Sequence, residues 1–520
     1  MKHIELFAGC GGLCLGLKKA GFDLFFANEL SPMAAETFAY NLLGEDLSAP
    51  GGNTPHTIWI KSSFPSGDKR RLREDPRTYP DNWDNCGILP DGSNISGSLL
   101  IGNINSLLEW LEGHPQVAHT LRNTEIDLMA GGPPCQSFSL AGLREKNNEK
   151  NLLPWSFARL AAIIRPQTIL LENVTGILRP FSENGEKYYA WLEVSKAFAS
   201  IGYVPLPLHV NAKYVGVAQN RPRFILVGVR EDIFTQLAGN FNPAERFLFR
   251  SSQDFYASIK KNRSVTLSDI TIHDLNKEDP TLWNAFQNSF LSSLAKRKSN
   301  YVSVKEAIGD LEEMPSKNDT KYVKYINETF SDCLAFHPQR ITGLEKINVT
   351  HRVMRRYRIY QILSSQKKLV QKQVQEIISG KRENLSQEVW NDLCGYKFLM
   401  EDGNMNMFST INELEDFIKN HKTRKQVQKA LLPEEPAPAA LSIPDDACHY
   451  KEIRTLTVRE MARIQSFPDS FCFRSKTTTG GLNRRYEVPI YTQIGNAVPV
   501  LLAYALGTCM NTLLKRINHG

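Results

Sequence analysis

The chain has 520 residues, of which 42% are hydrophobic and 22% are charged, an ordinary composition for a soluble globular protein. Its nine cysteines are odd in number and include no Cys-x-x-Cys pair, which argues against a disulfide framework and against a structural metal. The first residues lack the apolar core of a signal peptide, and no uninterrupted apolar stretch of membrane length is expected. We therefore expect a cytoplasmic protein without membrane contact.

The net charge of +7 arises from 62 basic and 55 acidic residues, and it is concentrated in one segment. Residues 339–382 contain eleven lysines and arginines but only two acidic residues, so the excess in this segment exceeds that of the whole chain. Localised positive charge of this kind indicates a nucleic-acid partner.

Strand and helix patterns alternate through the first 230 residues. This alternation predicts an α/β fold with a doubly wound, mostly parallel sheet, and we assign residues 1–230 to one such domain. Residues 44–98, approximately, are rich in Gly, Pro, Asn, Asp and Ser and are predicted to form a surface insertion. The strand patterns lie at residues 4–7, 24–27, 126–130, 168–171 and 224–229, and the helix patterns at residues 13–20 and 155–164.

The alternation disappears between residues 231 and 449. This region is mixed and polar, and it contains a basic helix pattern from Arg352 toward Ile378 with an apolar stripe at helical spacing. The Pro-, Ala- and Glu-rich residues 432–439 are typical of a linker.

Helix patterns resume in residues 450–520. Thr457 is the predicted N-cap of the first helix, and Glu460, three residues later, is its capping-box partner. Residues 493–514 are predicted to form a turn followed by an apolar helix.

A rigid loop follows the strand pattern at residues 126–130. Its sequence is Gly131-Gly132-Pro133-Pro134-Cys135, in which two prolines fix the backbone before the cysteine and two glycines permit a sharp turn. A cysteine presented in this way is typical of a positioned nucleophile. On this loop alone, a buried core cysteine is an equally good interpretation.

A glycine-rich turn, Gly9-Cys10-Gly11-Gly12, lies between the first strand and the first helix, where a ligand can sit against the helix N-terminus. The dinucleotide fingerprint requires a glycine at position 14, and Cys14 there disfavours a nicotinamide oxidoreductase. Glu29 follows the second strand, where a carboxylate can accept hydrogen bonds from a ribose; a solvated loop carboxylate is the alternative. The combination favours an adenosine-bearing cofactor.

Taken in order, these segments resemble the DNA (cytosine-5) methyltransferases, and in particular the bacterial restriction–modification type. Later segments add to the resemblance, so that six motifs in the family's order span nearly the whole chain. The later motifs are Glu172-Asn173-Val174, Gln219-Asn220-Arg221-Pro222-Arg223, the segment from Thr457 to Pro468, and Gln493-Ile494-Gly495-Asn496-Ala497-Val498-Pro499.

The resemblance implies that residues 1–230 are the catalytic and cofactor-binding domain and that S-adenosyl-L-methionine is the cofactor. It implies that Phe7 stacks on the adenine and that Glu29 binds the ribose. Asn103 stands where the family more often has aspartate beside the adenine, and the family's Asp-x-Arg pattern before Leu153 is missing. The implied cofactor-binding residues are Phe7, Ala8, Gly9, Cys10, Gly11, Gly12, Glu29, Leu30, Asn103, Ile104, Pro134, Leu153, Asn496 and Val498.

The resemblance also assigns the catalytic residues. Cys135 would attack carbon 6 of cytosine as a thiolate, and Glu172 would protonate or hydrogen-bond ring nitrogen N3. Arg223 would contact the cytosine O2, and Arg221 would support the Cys135 loop or a phosphate. The alternative for Glu172 is a carboxylate that only caps the next turn. The alternative for the two arginines is a position at a solvated strand end.

A cytosine inside a duplex must be flipped out before this chemistry. The resemblance implies that residues 231–449 form the target-recognition domain and that residues 450–520 return to the catalytic domain. Some of the basic residues would contact phosphates and others guanine edges, unless they lie on a solvated helix face. The predicted DNA-binding residues are Gln136, Ser139, Arg352, Arg355, Arg356, Arg358, Lys367 and Lys368.

Two other functions remain open at this stage. One is an RNA cytosine-5 methyltransferase, which the large basic recognition region disfavours; the other is a catalytically silent, methyltransferase-like DNA-binding protein. Because the glycine motif begins so early, we expect no regulatory domain before it. We further expect a monomer that acts on double-stranded DNA, with a cognate restriction endonuclease acting separately.

Overall fold

The computed structural model describes ten stretches of the chain. Cys135, Gln136, Ser139 and most of the insertion predicted at about 44–98 lie outside them. The described residues are 1–49, 53–60, 88–89, 91–134, 153–183, 186–313, 319–423, 428–439, 443–480 and 487–517.

Most of the long strands belong to one sheet. The strands are β1 (Lys2–Leu6), β2 (Asp23–Glu29), β3 (Thr57–Trp59), β4 (Ser98–Ile101), β5 (Leu128–Gly131), β6 (Thr168–Val174), β7 (Phe181–Glu183), β8 (Glu186–Tyr188), β9 (Tyr203–Asn211), β10 (Gln219–Asn220), β11 (Pro222–Arg230), β12 (His273–Asp274), β13 (Phe398–Leu399), β14 (Met405–Asn406), β15 (Lys429–Ala430), β16 (Ala437–Pro438) and β17 (Ala447–Cys448). Nine of them form a sheet in the order β12-β9-β11-β6-β5-β1-β2-β4-β3. Its neighbours are parallel except that β11 is antiparallel to both β6 and β9. The predicted α/β fold with a mostly parallel sheet is confirmed.

Helices connect the strands and build the remainder of the fold. They are α1 (Gly12–Lys19), α2 (Pro32–Phe38), α3 (Ile104–Gly113), α4 (Pro115–Asn123), α5 (Leu153–Ile164), α6 (Ala190–Ser200), α7 (Glu231–Ala238), α8 (Pro243–Lys260), α9 (Pro280–Gln287), α10 (Val304–Ile308), α11 (Lys321–Phe330), α12 (His351–Ser364), α13 (Lys368–Ile378), α14 (Gln387–Leu393), α15 (Ile411–Lys419), α16 (Val458–Ile464), α17 (Ile490–Asn496) and α18 (Val500–Leu514).

Strand β1 lies inside the sheet, between β2 and β5. Ile4 and Leu6 are completely buried, and so are Leu128 and Met129 on β5. Parallel strands covered on both faces are mostly apolar, as β5 is, whereas β1 alternates its apolar residues with the buried His3 and Glu5. The sheet therefore places the loops after β1 and β5 side by side at its carboxyl edge.

The C-terminal helix α18 packs closely against α1. The contact is closest at Gly16, where an added Cβ would lie 2.4 Å from the Cβ of Ala503 and 2.5 Å from the backbone nitrogen of Tyr504. Only a residue without a side chain allows the two helices this approach. The end of the chain is thus part of the first domain's core.

Helix α16 begins with the predicted capping box. The Thr457 side chain accepts a hydrogen bond from the Glu460 backbone at 3.2 Å, and the Glu460 carboxylate accepts one from the Thr457 backbone at 2.7 Å. The same carboxylate accepts hydrogen bonds from both terminal nitrogens of Arg454, each at 2.7 Å. This cap is buried, so it fixes the start of the helix firmly.

Two arginines of α16 are among the most buried side chains of the protein. Arg463 forms ion pairs with Asp310 at 2.6 Å and Asp469 at 2.7 Å. Arg459 donates to the Phe471 carbonyl at 2.7 Å and to the Thr342 carbonyl at 3.0 Å. Buried charges require such partners, and these partners join α16 to segments far away in the sequence.

The apolar side chains form two separate cores. The larger core contains the apolar residues of the sheet and further residues up to Leu334. It resumes at Leu431 and includes residues of α18. The smaller contains residues from Tyr357 to Ile418 together with Ala430 and Cys448. The predicted boundary at residue 231 therefore does not coincide with the division between the cores, because 231–334 pack into the larger one.

The segment predicted as a linker, 432–439, is packed against the larger core. Its strand β16 pairs in parallel with β10. The Glu435 and Pro433 carbonyls accept hydrogen bonds at 2.9 Å from the backbones of Val304 and Lys305. The prediction was wrong because composition describes only local preferences, whereas these partners lie more than a hundred residues earlier.

The basic helix pattern from Arg352 toward Ile378 forms two helices, α12 and α13. The hydroxyls of Ser364 and Ser365 donate to the carbonyls of Gln361 and Ile362 at the end of α12. Serines compete with the backbone in this way and favour a helix end.

One helical stretch among the described residues, Ile490–Leu514, is apolar and long enough to cross a membrane, with a mean hydropathy of 1.6. The expectation that no such stretch exists was wrong. The stretch consists of α17 and α18, and 72% of its apolar window is buried within the fold. Its composition is that of a core helix, as the contact with α1 requires.

We expect Gly16→Ala to lower the free energy of unfolding by about 1–3 kcal/mol, because the added methyl group forces α1 and α18 apart. Gly113→Ala is the matched control, since an added Cβ there meets nothing within 4 Å. The control should change stability by at most about 1 kcal/mol. Urea denaturation of the two variants measures the difference, and equal stabilities would contradict the packing argument.

Candidate active site and cofactor pocket

The carboxyl edge of the sheet brings the predicted functional segments together. Leu6 of β1 pairs with Asn28 of β2 and with Gly131 of β5, and Gly131 pairs with Leu171 of β6. The next residue of each strand or loop is Phe7, Glu29, Gly132 and Glu172. Open parallel sheets bind ligands at this edge, so the register alone creates a candidate site.

The glycine turn after β1 is tightly packed from behind. Gly11 has a φ of 94°, and a Cβ there would lie 2.6 Å from the Cδ1 of Leu42. A Cβ on Gly12 would lie 2.7 Å from the Val498 carbonyl oxygen, whereas one on Gly9 would meet nothing within 4 Å. The turn is therefore closed toward the core and open at Gly9, as a ligand cradle requires.

Glu29 is oriented by backbone groups. Its two carboxylate oxygens accept hydrogen bonds from the nitrogens of Gly9 and Ser31, each at 2.8 Å. Burial raises the pKa of Glu29, and the backbone hydrogen bonds partly oppose this shift. The interpretation of Glu29 as a freely solvated loop carboxylate does not fit this environment.

The other predicted pocket residues lie around the turn with different exposures. Asn103 follows β4 and caps α3, its side-chain oxygen accepting from the Asn105 backbone at 2.9 Å. Ile104 is buried, whereas Leu30 is 50% exposed at the edge of the pocket. Leu153 begins α5. The residues are close to the carboxyl edge, and their contact with a cofactor stays a prediction.

The closing motif lies directly against the glycine turn. Asn496 ends α17 and is exposed, and Val498 is buried with its carbonyl facing Gly12. The sulfur of Cys10 lies 3.7 Å from the Gln493 carbonyl oxygen. Residues separated by almost the whole chain thus pack against each other at the glycine turn.

A buried ion pair stands at the end of β6. The Nε of Arg223 lies 2.7 Å from a carboxylate oxygen of Glu172, and the side chains are only 8% and 12% exposed. The guanidinium also donates to the Pro222 carbonyl at 2.8 Å. Burial lowers the pKa of Arg223, and the Glu172 carboxylate opposes that shift.

The cysteine loop begins directly over this pair. A Cβ on Gly132 would lie 2.9 Å from the Glu172 carboxylate, and Asn173 donates to the Pro133 carbonyl at 3.3 Å. Pro134 is exposed and is the last residue described before Cys135. The segment that leads to Cys135 therefore begins next to the Glu172 carboxylate, which is predicted to act with this cysteine.

Arg221 contacts the closing motif. Its Nη2 donates to the carbonyls of Gly495 at 2.8 Å and Ala497 at 3.1 Å. Burial lowers the pKa of this guanidinium well below its ordinary value; Arg223 adds to the shift and Glu172 opposes it. Among the described residues, the partners of Arg221 give it a structural role in shaping the pocket wall. Its predicted support of the Cys135 loop lies outside those residues.

A profile of the family described as C-5 cytosine-specific DNA methylase matches residues 1–54 and 108–511. The two ranges make up most of the chain and include the six motifs, whereas Asn103 and Ile104 lie between them. The chain belongs to the C-5 cytosine-specific DNA methylase family. It is therefore an enzyme of the DNA methyltransferase class.

Three relatives of this methylase are named as type II methyltransferases. M.DdeI of Desulfomicrobium norvegicum is 24% identical over 519 residues, covering 100% of this chain and 90% of the relative. M.NgoPII of Neisseria gonorrhoeae is 32% identical over 234 residues, or 45% of this chain and 49% of the relative. M.Eco47II of Escherichia coli is 23% identical over 517 residues, which cover 99% of this chain and 80% of the relative.

Four arginines predicted to contact DNA lie on α12 of the methylase, at the smaller core. Arg352 donates to the Asn420 carbonyl at 2.7 Å, and Arg358 donates to the Lys397 carbonyl at 3.0 Å. Arg355 lies 3.4 Å from a Glu401 carboxylate oxygen. These arginines attach α12 to its own domain, and their contact with DNA stays a prediction.

The remaining basic residues have fewer protein contacts. Lys367 and Lys368 are exposed at the start of α13, with Lys367 lying 3.5 Å from Asp392. The buried Nε of Arg356 has no hydrogen-bond partner in the part of the chain that the structure describes. The Nε of Arg355 is likewise buried without such a partner among the described residues, and contact of Arg356 with DNA stays a prediction.

Two residues of the methylase site were missed by sequence reasoning. Asn173 connects β6 to the cysteine loop, and Gln493 holds the closing motif by donating to the carbonyls of Met33 and Val488 at 3.1 and 3.0 Å. Both belong to motifs that had been recognised. Their position inside a motif was the signal, but their partners could not be identified without the fold.

A buried polar group lies beneath the glycine turn. His3, Glu5 and Cys14 place one potential metal-ligand atom each within 4.8 Å of one another. Burial raises the pKa of both Glu5 and Cys14 and lowers that of His3 to about 4. These shifts favour an acid, a thiol and an imidazole that are all uncharged.

We expect Arg221→Lys to lower the free energy of unfolding by about 1–3 kcal/mol, because a single ammonium nitrogen cannot replace both Nη1, which donates to Gln219, and Nη2, which donates to the Gly495 and Ala497 carbonyls. Arg159→Lys is the matched control: its ion pair with Glu112 is exposed, with half of each side chain accessible. Its effect should stay within about 1 kcal/mol. Denaturant titrations provide the comparison, and two equal losses would show that the Arg221 contacts add nothing.

Proposed function

We propose that this methylase transfers the methyl group of S-adenosyl-L-methionine to carbon 5 of a flipped-out cytosine in a specific duplex DNA sequence. The reaction would proceed through a covalent bond between Cys135 and carbon 6. The observation that carries the proposal is the buried Glu172–Arg223 pair, from which the cysteine loop departs at Gly132. An acid, a base-binding cation and a nucleophile loop at one sheet edge are the groups that this chemistry needs.

The pocket beside this pair fits the cofactor. The glycine turn is open at Gly9, and Glu29 beside it is held by backbone nitrogens in a position to accept from ribose hydroxyls. Phe7 and Leu30 offer apolar surface for an adenine ring. S-adenosyl-L-methionine, when bound, supplies an electrophilic methyl group on a sulfonium.

Carbon 5 of cytosine is a weak nucleophile and must be activated. The Cys135 thiolate forms a bond from sulfur to carbon 6, and the electrons of the C5–C6 double bond become available at carbon 5. Carbon 5 then bonds to the methyl carbon, whose former bonding electrons remain with the cofactor sulfur. A base, water in our proposal, removes the proton from carbon 5, the double bond re-forms, and the cysteine sulfur leaves with its electron pair.

Glu172 and Arg223 stabilise the charge that develops on the ring. Glu172 hydrogen-bonds or protonates N3, and Arg223 donates to O2. Because the two side chains already contact each other at 2.7 Å, they form one preorganised surface for the polar edge of cytosine.

The target base reaches this surface only after leaving the duplex, at a cost of roughly a few kcal/mol that protein–DNA contacts must offset. We propose that the smaller core, with the arginines of α12 and with Lys367 and Lys368, provides the contacts. Gln136 and Ser139 beside the nucleophile would contact the DNA at the flipped base. We infer target recognition within residues 231–449 and a return to the catalytic domain over 450–520.

The type II names of the relatives suggest the setting of the reaction. We propose a cytoplasmic monomer that modifies duplex DNA, with a cognate restriction endonuclease acting as a separate protein. An RNA cytosine methyltransferase and a silent DNA-binding protein are the alternatives that the first experiment separates.

We expect the wild-type protein to transfer tritiated methyl groups from S-adenosyl-L-methionine to unmethylated duplex DNA, and Cys135→Ala to transfer none. Labelling of RNA alone would support the RNA enzyme, and no labelling of either would refute the catalytic proposal. A duplex containing 5-fluorocytosine should trap the wild-type protein covalently. Trapping that persists in Cys135→Ala would exclude this cysteine as the nucleophile.

We expect Gly132→Ala to slow methyl transfer by roughly 10- to 100-fold, because the new methyl group displaces the Glu172 carboxylate. Gly239→Ala is the control, since an added Cβ there meets nothing within 4 Å. Binding of S-adenosylhomocysteine, measured by calorimetry, should be the same in both variants. A normal turnover rate for Gly132→Ala would show that the carboxylate position does not limit the reaction.

A further inference from the structure

A short 3₁₀ helix, Ala212–Val215, lies beside the candidate active site. It follows β9 directly, and the last residue of β9, Asn211, pairs with Pro222 at the start of β11. The next residue of β11 is Arg223, which forms the buried ion pair with Glu172. The short helix therefore stands at the same carboxyl edge of the sheet as this ion pair.

A basic segment between α9 and α10 is fastened to this short helix. The backbone nitrogen of Arg297 donates to the Tyr214 carbonyl at 2.9 Å. A Cβ on Gly216, just after the helix, would lie 3.5 Å from the Nε of the same arginine. Within the basic segment, the Tyr301 hydroxyl donates to the Lys298 carbonyl at 2.7 Å. Two segments that are distant in the sequence thus form one surface at the carboxyl edge.

Lys213 of the short helix reaches over the same surface. Its Nζ lies 4.2 Å from the centre of the Tyr301 ring and 5.2 Å from the centre of the Tyr214 ring. The face of an aromatic ring attracts an ammonium group but leaves its positive charge in place. Lys213 is half-buried, whereas Arg297 and Lys298 are exposed. We refer to Lys213, Arg297 and Lys298 as the Lys213 patch.

No carboxylate neutralises the Lys213 patch within the described residues. The Nη1 of Arg297 donates to the Asn300 carbonyl at 3.1 Å, and none of the three cations forms an ion pair in this part of the chain. Burial raises the pKa of Tyr301 and the charge of Glu278 adds to this shift, so Glu278 lies near the patch. Glu278 is exposed, however, and is not paired with any of the three cations. The patch therefore presents positive charge at the edge of the candidate site.

We propose that the Lys213 patch binds phosphates of the DNA backbone next to the target cytosine. This proposal rests on the proposed function, because a base delivered to Glu172 and Arg223 brings its duplex over the carboxyl edge. Duplex DNA carries one negative charge for about every 1.7 Å of its axis, so a surface at this edge meets several phosphates. Cations without a carboxylate partner can bind these phosphates without first breaking an ion pair.

The patch would add a contact that differs from those of the smaller core. Arg352 and Arg358 of α12 already donate to carbonyls of their own domain, whereas the Lys213 patch is attached to the larger core through Tyr214. Contacts with phosphates fix the position of a duplex but carry no sequence information directly. The patch should therefore act equally on every sequence and hold the duplex at the catalytic domain while the base is flipped out.

The salt dependence of DNA binding tests the proposal. Fluorescence anisotropy of a labelled duplex of mixed sequence gives the affinity of the protein and its variants at several salt concentrations. We expect Lys213→Gln and Arg297→Gln each to weaken binding roughly threefold to tenfold and to lower the slope of log affinity against log salt by about 0.9. The double variant should lower this slope about twice as much. Lys213→Arg keeps the charge and should retain the wild-type affinity and slope.

Arg263→Gln is the matched control. Arg263 is exposed, forms no ion pair among the described residues and follows α8 at the opposite edge of the sheet, where Lys260 pairs with Glu231 directly after β11. The control should keep the wild-type affinity and slope. Unchanged slopes for Lys213→Gln and Arg297→Gln would overturn the proposal whatever their affinities, because no phosphate contact would have been lost. An equal loss in Arg263→Gln would also overturn it, because net charge alone would then explain the effect.

Methyl transfer to unmethylated DNA distinguishes this proposal from the proposed function. If the wild-type protein methylates DNA while the two Gln variants keep the wild-type salt slope, the proposal for the Lys213 patch fails and the proposed function stands. If the wild-type protein methylates neither DNA nor RNA while the variants lower the slope, the proposed function fails and the patch still binds the DNA backbone.

Discussion

The pocket depends on one buried cation, the guanidinium of Arg221. It holds two carbonyls of the closing motif, which lies 274 and 276 residues later in the chain. The closing motif also places the Val498 carbonyl against Gly12 of the glycine turn. A cation is expensive to remove from water, and partners arranged around it offset that cost. Strand β11, the glycine turn and the closing motif are consequently joined by direct contacts.

Local features were predictable because their causes lie close together in the sequence. Strand β1 follows from its apolar residues, and the start of α16 follows from Thr457 and Glu460, three positions apart. The partners of Arg221 could not be predicted, because backbone carbonyls have no sequence signature. Residues 432–439 have the composition of a linker, and only the fold reveals their pairing with β10.

The two cores lie beside different groups of candidate functional residues. The larger core contains the apolar residues of the sheet, and the Glu172–Arg223 ion pair joins two strands of that sheet, β6 and β11. The smaller core carries the basic helix α12, and its arginines are attached to their own domain. Helix α16 lies at the junction, since the buried Arg459 binds the Thr342 carbonyl in the segment that leads toward the smaller core.

The return of the chain at residues 431–438 has an evolutionary consequence. The polypeptide leaves the larger core after Leu334 and re-enters it at Leu431, where β16 and the bonds to Val304 and Lys305 fasten it. The nine strands of the large sheet all precede Leu334, so no residue between these two points takes part in its strand pairing. Sequence changes in the smaller core can therefore accumulate without altering the strand order that holds the candidate site.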